Sequence, residues 1–139
     1  MNLELIGKTA LISGSTKGIG FAIASQLATE GACVIMNGRS DNAVNSALQQ
    51  VRTAVPEAKT EGFAGDLATT TATEELLKLF PAVDILVNNL GIYEPRPFDK
   101  HSDQDWRHVF EVNCAQWGTS QPRIYLRDET SELGANYLH

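Results

Sequence analysis

The chain has 139 residues, 42% of them hydrophobic and 20% charged, which is typical of one globular domain and excludes a disordered or fibrous protein. The formal net charge is -6 without any run of Lys or Arg, so the sequence has no electrostatic footprint for nucleic acid. No stretch approaches about 18 uninterrupted apolar residues, the amino terminus lacks a signal-peptide pattern, and the two cysteines match no disulfide framework or zinc spacing. We therefore expect a cytoplasmic protein with no nucleic-acid or membrane partner.

Apolar runs and helical patterns alternate along the chain. The predicted strands are Thr9–Ser13, Cys33–Met36, Thr60–Gly65 and Val83–Val87. The predicted helices are Ile19–Glu30 with Gly31 as a left-handed C-cap, a helix from an Asp41 N-cap to about Val55, Thr73–Phe80, and Asp103 to about Asn113 with Ser102 as its cap. Because parallel neighbours need crossover connections, this alternation predicts an α/β fold with a parallel sheet covered on both faces.

A glycine-rich turn, Gly14 to Gly20, lies between the first strand and the first helix. The start of a helix offers unpaired N–H groups and a partial positive charge to an anion, and glycine lets the backbone approach phosphate oxygens closely. A glycine triplet alone is weak evidence, because turns also collect glycine for conformational reasons. The strand-to-helix context strengthens it, and the spacing does not fit a P-loop.

The spacing G-x-x-x-G-x-G resembles that of the short-chain dehydrogenase/reductase family. The resemblance covers residues 5–113 and rests on four motifs in the family's order: S-G-S-T-K-G-I-G at 13–20, Asp66-Leu67, N-N-L-G at 88–91, and Asn113 in V-N. Two positions depart from the family pattern, because Ser13 replaces a common Thr and Leu90 replaces the usual Ala. The resemblance implies a Rossmann-type doubly wound sheet, here truncated after about four strands in the order 3-2-1-4, and a dinucleotide-binding half-domain at residues 1–113.

The same resemblance implies which residues bind a nicotinamide dinucleotide. Two residues would meet the adenine ring, Asp66 and Leu67, while Asn89 and Gly91 would line the floor beneath ribose and nicotinamide. Asn88 would tie neighbouring strands together. The residues around the pyrophosphate and the adenosine ribose would be Gly14, Ser15, Lys17, Gly18, Ile19 and Gly20.

Charge at the end of the second predicted strand bears on the choice of cofactor. A carboxylate there would bind the ribose hydroxyls and repel a 2′-phosphate, but the sequence continues Asn37-Gly38-Arg39, with no acid until Asp41. Arg39 and Lys17 together favour NADP over NAD, since charge-assisted bonds to a phosphate are strong. The alternative is that both cations are merely solvated surface charges.

The catalytic part of the family's site is only partly present. Asn113 matches the asparagine that holds the water of a proton relay in the family. No tyrosine is followed four residues later by lysine, since Tyr93 is followed by Pro97 and Tyr125 by Glu129. No apolar run after Asn113 supplies a fifth strand with the family's serine. We therefore expect the family chemistry to be hydride transfer between NAD(P)H and a carbonyl or alcohol, and this chain to be inactive alone.

Residues 114–139 lack strand or helical periodicity and include Pro122 where the family's helix would continue. We hypothesise that this tail is frameshifted or disordered, because codons can be chosen so that a one-nucleotide shift gives a string similar to the family's next helix and strand. The fourth strand would then be an exposed sheet edge that promotes self-association. Three interpretations stay open: an oxidoreductase, an inert NADP-binding fragment, or an interaction module that reuses the fold.

The helix after Ser102 carries two further patterns. Its residues Asp105, His108 and Glu111 share a face and could suggest a metal site, although a solvated polar face is the simpler interpretation. Three apolar residues at helical spacing are predicted to pack in the core: Trp106, Val109 and Phe110.

Overall fold

A computed structural model describes residues 3–92, 95, 97–115 and 125–126 of the chain. The strands are β1 (Thr9–Ile12), β2 (Cys33–Gly38), β3 (Thr60–Ala64), β4 (Ala82–Val83), β5 (Ile85–Val87) and β6 (Tyr125–Leu126). The α-helices are α1 (Gly18–Thr29), α2 (Asp41–Ala54), α3 (Thr70–Leu79) and α4 (Asp103–Phe110). A short 3-10 helix spans Phe98–Lys100, and one π-helical turn, Glu111–Ala115, follows α4 directly.

Four strands form a parallel sheet in the order β3-β2-β1-β5. This confirms the predicted α/β class and the Rossmann-type order 3-2-1-4, with β5 as the fourth strand. The predicted strand Val83–Val87 is divided at Asp84, whose carboxylate accepts a 2.7 Å hydrogen bond from the Thr9 amide while its own amide donates to the Thr9 carbonyl at 2.9 Å. Asp84 thereby fixes the register of β5 against β1.

Helices cover both faces of the sheet, as the alternating elements predict. Alternate residues of β1 point to opposite sides, so Ile12 joins the cluster beneath α1 and α2, whereas Leu11 joins the cluster beneath α3. Both residues are almost completely buried. The two apolar layers therefore hold the carboxyl ends of β1, β2 and β3 at one edge, where the connecting turns lie.

Two helix starts differ from their predicted positions. Ser40 rather than Asp41 caps α2, because the Ser40 hydroxyl accepts a 3.4 Å hydrogen bond from the Ala43 amide. Helix α3 begins at Thr70 instead of Thr73, since Thr69 provides the capping oxygen. The prediction for Gly31 is confirmed, as its φ of +93° is in the left-handed region that closes α1.

Helix α4 begins at the predicted cap. Ser102 and Asp105 form a capping box, in which each side chain bonds the backbone of the other residue. The predicted core packing is wrong for Trp106 and Phe110, whose exposed fractions are 48% and 61%. Helical spacing shows only that apolar residues share a face, and no described element covers this face of α4.

The predicted tail, residues 114–139, lies mostly outside the described residues, as do positions 93, 94 and 96. Within the tail, β6 pairs in parallel with β4, placing Tyr125 opposite Ala82 and Leu126 opposite Val83. Across the part of the chain that the structure describes, no helix has the length and apolarity needed to cross a bilayer.

Candidate functional site

A cleft of about 500 Å³ opens at the carboxyl ends of the parallel strands. It brings together eight of the predicted site residues: Gly14, Lys17, Gly18, Arg39, Asp66, Leu67, Asn89 and Gly91. The residues of its lining that sequence analysis did not assign to the site include Thr16, Asn37, Gly65, Leu90, Ile92 and His108. Residues as far apart in sequence as Gly14 and Val112 thus meet at the edge where open parallel sheets bind their ligands.

The glycine turn leaves the start of α1 accessible to an anion. Both Gly14 (φ +58°) and Gly18 (φ +60°) adopt the left-handed conformation that favours glycine. No side chain caps α1, whereas hydroxyls of Ser40, Thr69 and Ser102 cap the other three described α-helices. The first turn of α1 also lacks acidic residues, so its amides and positive dipole end face the cleft without a competing carboxylate.

Three residues predicted to surround the cofactor do not line the cleft. Ser15 is fully buried, and its hydroxyl donates to the Ile12 carbonyl at 2.8 Å and accepts from the Asn37 amide at 2.9 Å. Ile19 is 74% exposed on the outside of α1. Gly20 is a close-packing position, because a Cβ there would lie 2.6 Å from the Gly14 carbonyl oxygen.

Two cations lie on separate turns at the mouth of the cleft. Lys17 precedes α1 and Arg39 follows β2, and both side chains are exposed. Within the described residues neither forms an ion pair. Thr16 contacts the turn after β2 so closely that a Cβ at Gly38 would lie 2.4 Å from its methyl carbon. This contact holds the glycine turn beside the turn that carries Arg39.

The turn after β3 forms a third wall. The carboxylate of Asp66 accepts a 3.0 Å hydrogen bond from the Ala68 amide, and the Asp66 carbonyl accepts bonds from the amide and hydroxyl of Thr69. Leu67 packs into the apolar cluster beneath α3 while still contributing to the cleft. This hydrogen-bonded turn therefore places an acidic group and an apolar surface in the same cleft as Arg39.

Asn89 joins β1 to β5 beneath the cleft. Its side-chain amide donates to the carbonyls of Ser13 (3.3 Å) and Gly14 (3.0 Å), and the Ser13 hydroxyl accepts from the amides of Asn89 and Leu90, both at 3.0 Å. Ser13, which stands where the family usually has Thr, thus keeps a hydroxyl that accepts two hydrogen bonds. The resemblance implied a strand-tying role for Asn88, and the bonds described here show that Asn89 performs one.

Asn113 lies in the π-helical turn and holds the loop that follows β5. Its Oδ1 accepts from the Ile92 amide at 3.0 Å, and its Nδ2 donates to the carbonyls of Ile92 and Val109, both at 2.9 Å. A Cβ at Gly91 would lie 2.5 Å from this Oδ1. Asn113 does not line the cleft itself, but it positions Ile92, which does.

His108 is exposed, in line with the polar face predicted for it with Asp105 and Glu111, and it also lines the cleft. Its position depends on how α4 lies against the loop after β5, which no local pattern encodes. Among the described residues, no three His, Cys, Asp or Glu side chains are grouped so that they could hold a metal ion.

Comparison with known proteins assigns the family. The short chain dehydrogenase family model matches residues 8–117, so the chain belongs to the short-chain dehydrogenase family. It is 48% identical to the Bacillus subtilis oxidoreductase YvaG over 128 residues, which cover 92% of this chain and 48% of that protein. Identity to the 3-oxoacyl-[acyl-carrier-protein] reductase FabG of Aquifex aeolicus is 37%, covering 81% of this chain and 47% of the relative.

Solved structures agree with this assignment. L-sorbose reductase from Gluconobacter frateurii, solved with NADPH and L-sorbose, superposes with a TM-score of 0.78 at 27% identity, covering 89% of this chain and 48% of that one. The chain spans about half the length of the relatives it matches.

Proposed function

We propose that the cleft binds NADP(H), and that the chain forms the cofactor-binding part of a short-chain oxidoreductase acting on a carbonyl or alcohol. The amides at the start of α1 would bind the pyrophosphate, with Gly14 and Gly18 permitting close approach. Asp66 and Leu67 would meet the adenine ring, and Asn89 and Gly91 would form the floor beneath the ribose and nicotinamide. Relatives support this assignment, since L-sorbose reductase was solved with NADPH.

The pairing of Lys17 and Arg39 at one cleft carries the preference for NADP over NAD. Both are exposed, neither forms an ion pair within the described chain, and β2 ends in Asn37-Gly38 without a carboxylate. A ribose 2′-phosphate would give these cations a dianionic partner. An unphosphorylated ribose would offer them only hydroxyls, so the same site binds NAD(H) less tightly.

The residues present fit a dinucleotide by shape as well as by charge. The left-handed Gly18 has open space around it, since a Cβ there would meet nothing within 4 Å. The uncapped first turn of α1, the apolar Leu67 and the acidic Asp66 border the same cleft. These features supply one surface for phosphate and another for an aromatic base.

When bound, the nicotinamide supplies hydride transfer to or from a carbon atom of the substrate. This chain's residues bind and orient it. Asn113 fixes Ile92 at the cleft wall through the amide and carbonyl of that residue. In the family's reaction we assign Asn113 the additional role of holding a relay water, while Ser15, Ile19 and Gly20 shape the glycine turn without lining the cleft.

Arg39→Ala tests the assignment of the 2′-phosphate site. Because it removes a charge-assisted bond worth about 1.5–3 kcal/mol, we expect the affinity for NADPH to fall by about 10–100-fold. NADH affinity should change little, since NADH has no 2′-phosphate. Fluorescence titration with each dinucleotide measures both values.

Lys78→Ala is the matched control for Arg39→Ala. Lys78 is exposed in the last turn of α3, so its loss changes the net charge equally but away from the cleft. NADPH affinity in this variant should stay at the wild-type value. Equal NADPH affinity in wild type and Arg39→Ala would show that Arg39 is only a solvated charge.

The polypeptide of 139 residues is expected to bind the cofactor without turning it over. Its sequence contains no tyrosine with a lysine four positions later, so it lacks the pair of residues that donates the proton in the family's reaction. NADPH consumption followed by absorbance with a panel of ketones should equal that of a protein-free control. Stereospecific reduction of any ketone by the purified chain would overturn this expectation.

A further inference from the structure

Asn37, near the carboxyl end of β2, is 2% exposed and contacts two other turns of the cleft at once. Its Oδ1 accepts a 3.1 Å hydrogen bond from the Gly14 amide. Its Nδ2 donates to the carbonyls of Phe63 at 3.2 Å and Gly65 at 3.1 Å. One amide group therefore uses both its acceptor and its donor atoms, each toward a different segment of backbone.

The backbone of Asn37 adds two more bonds to the glycine turn. Its amide donates to the Ser15 hydroxyl at 2.9 Å, and its carbonyl accepts from the Ser15 amide at 2.8 Å. Five polar contacts thus join the end of β2 to the segments on either side of it. None of these contacts is a hydrogen bond of regular strand pairing. Asn is also a residue that strands disfavour.

We propose that Asn37 is a positioning residue that sets the spacing of the three turns that bind the dinucleotide. The glycine turn, the turn carrying Arg39 and the turn carrying Asp66 come from separate parts of the sequence, and the Asn37 amide lies between them. This inference rests on the proposed NADP(H) site. Asn37 would act through its neighbours, since its buried side chain makes bonds to the backbone on both sides.

The chemistry of the position explains why an amide is needed. The Gly14 N–H group requires an acceptor, whereas the Phe63 and Gly65 carbonyls require donors. Only an amide of this length provides both kinds of group without a charge. Leu has nearly the same size and provides neither, so it would leave one N–H group and two carbonyls without this partner. Buried polar groups that lose their partners move toward new ones, which would change the distances between the turns.

The test compares NADPH with adenosine, a fragment that lacks the phosphates that the glycine turn and Arg39 would bind. In Asn37→Leu we expect NADPH affinity to fall at least tenfold, because NADPH must contact all three turns together, while the weak affinity for adenosine changes less than twofold. Thr60→Val is the matched control: it removes a buried polar group that bonds Arg52 at the other end of β3. At a comparable loss of melting temperature, this control should keep wild-type affinity for both ligands.

Each outcome decides between positioning and general stability. A purely structural role predicts equal losses for NADPH and adenosine, or equal losses in Asn37→Leu and Thr60→Val, and either result overturns the proposal. If Asn37→Leu shows no cooperative melt, Asn37→Ser replaces it. Its single O–H group cannot donate to both the Phe63 and the Gly65 carbonyl, so this variant should still lower NADPH affinity several-fold. Wild-type affinity in a folded variant overturns the role of Asn37 alone, whereas failure of the wild-type chain to bind NADPH overturns the proposed function as well.

Discussion

At the residue scale, local patterns in the sequence predicted some of the residues that line the cleft. Gly14, Gly18 and Arg39 could be assigned because a strand-to-helix glycine turn and a cation after the second strand are visible along the chain. The contributions of Thr16 and Asn37 could not be found in this way. Their partners are 22 or more residues away, and nothing local indicates which backbone groups a polar side chain will meet.

Gly20→Ala tests how closely α1 packs against the glycine turn. Helix propensity alone predicts that alanine stabilises α1 by about 1 kcal/mol. The structure predicts the opposite sign, because the added Cβ would lie 2.6 Å from the Gly14 carbonyl oxygen and 2.5 Å from Nδ2 of Asn89. We expect the free energy of unfolding to fall by about 1–3 kcal/mol in urea titrations.

Ala22→Gly provides the control for Gly20→Ala, since Ala22 is exposed in the same helix and measures the propensity contribution by itself. In this variant the free energy of unfolding should fall by about 1 kcal/mol, whether or not the cofactor is present. A Gly20→Ala protein more stable than wild type would show that the turn and helix do not approach as described.

At the element scale, strong periodicity made the parallel sheet predictable, and short-range caps set the details. The burial of β1 and β2 follows from continuous apolar runs, and Gly31 closes α1 as predicted. Helix α4 was less predictable, because a face that carries Trp106 and Phe110 is buried only when another element covers it. The π-helical turn after α4 has no signal in the sequence that we can identify.

The two outer strands of the four-stranded sheet differ in protection. At β3, Arg52 donates from its guanidinium to the hydroxyl of Thr60 at 2.7 Å and to its carbonyl at 3.0 Å. At β5, no strand in the described part of the chain pairs on the side away from β1, because β6 pairs with β4. An uncovered strand edge is a template for pairing with another chain.

We therefore expect the chain to self-associate through β5 rather than β3. Sedimentation should show a weight-average mass that rises with protein concentration, and hydrogen exchange of residues 85–87 should slow over the same range, because their backbone groups gain partners. Exchange of residues 60–64 serves as the internal reference and should not change. A monomer at every concentration, with constant exchange at both strands, would contradict this prediction.

At the scale of the whole molecule, the predicted division into a half-domain at 1–113 and an unrelated tail stays a proposal. The family model reaches residue 117, and the match to YvaG covers 92% of the chain, so similarity extends past the predicted boundary. Because several codons encode most amino acids, the protein sequence alone leaves the frameshift hypothesis open. The nucleotide sequence through and beyond the last codon decides it, because an intact frame without a related shifted reading would exclude an inserted base.

One cleft, built by turns distant in sequence, is proposed to bind the dinucleotide phosphates. The most direct test is NMR chemical-shift mapping of the isotopically labelled chain during titration with NADPH. We predict that the amide shifts change together in three segments, 14–20, 38–40 and 65–68, and that NADH changes the middle segment least. Shifts that change elsewhere, or no change in these segments at saturating NADPH, would contradict the account.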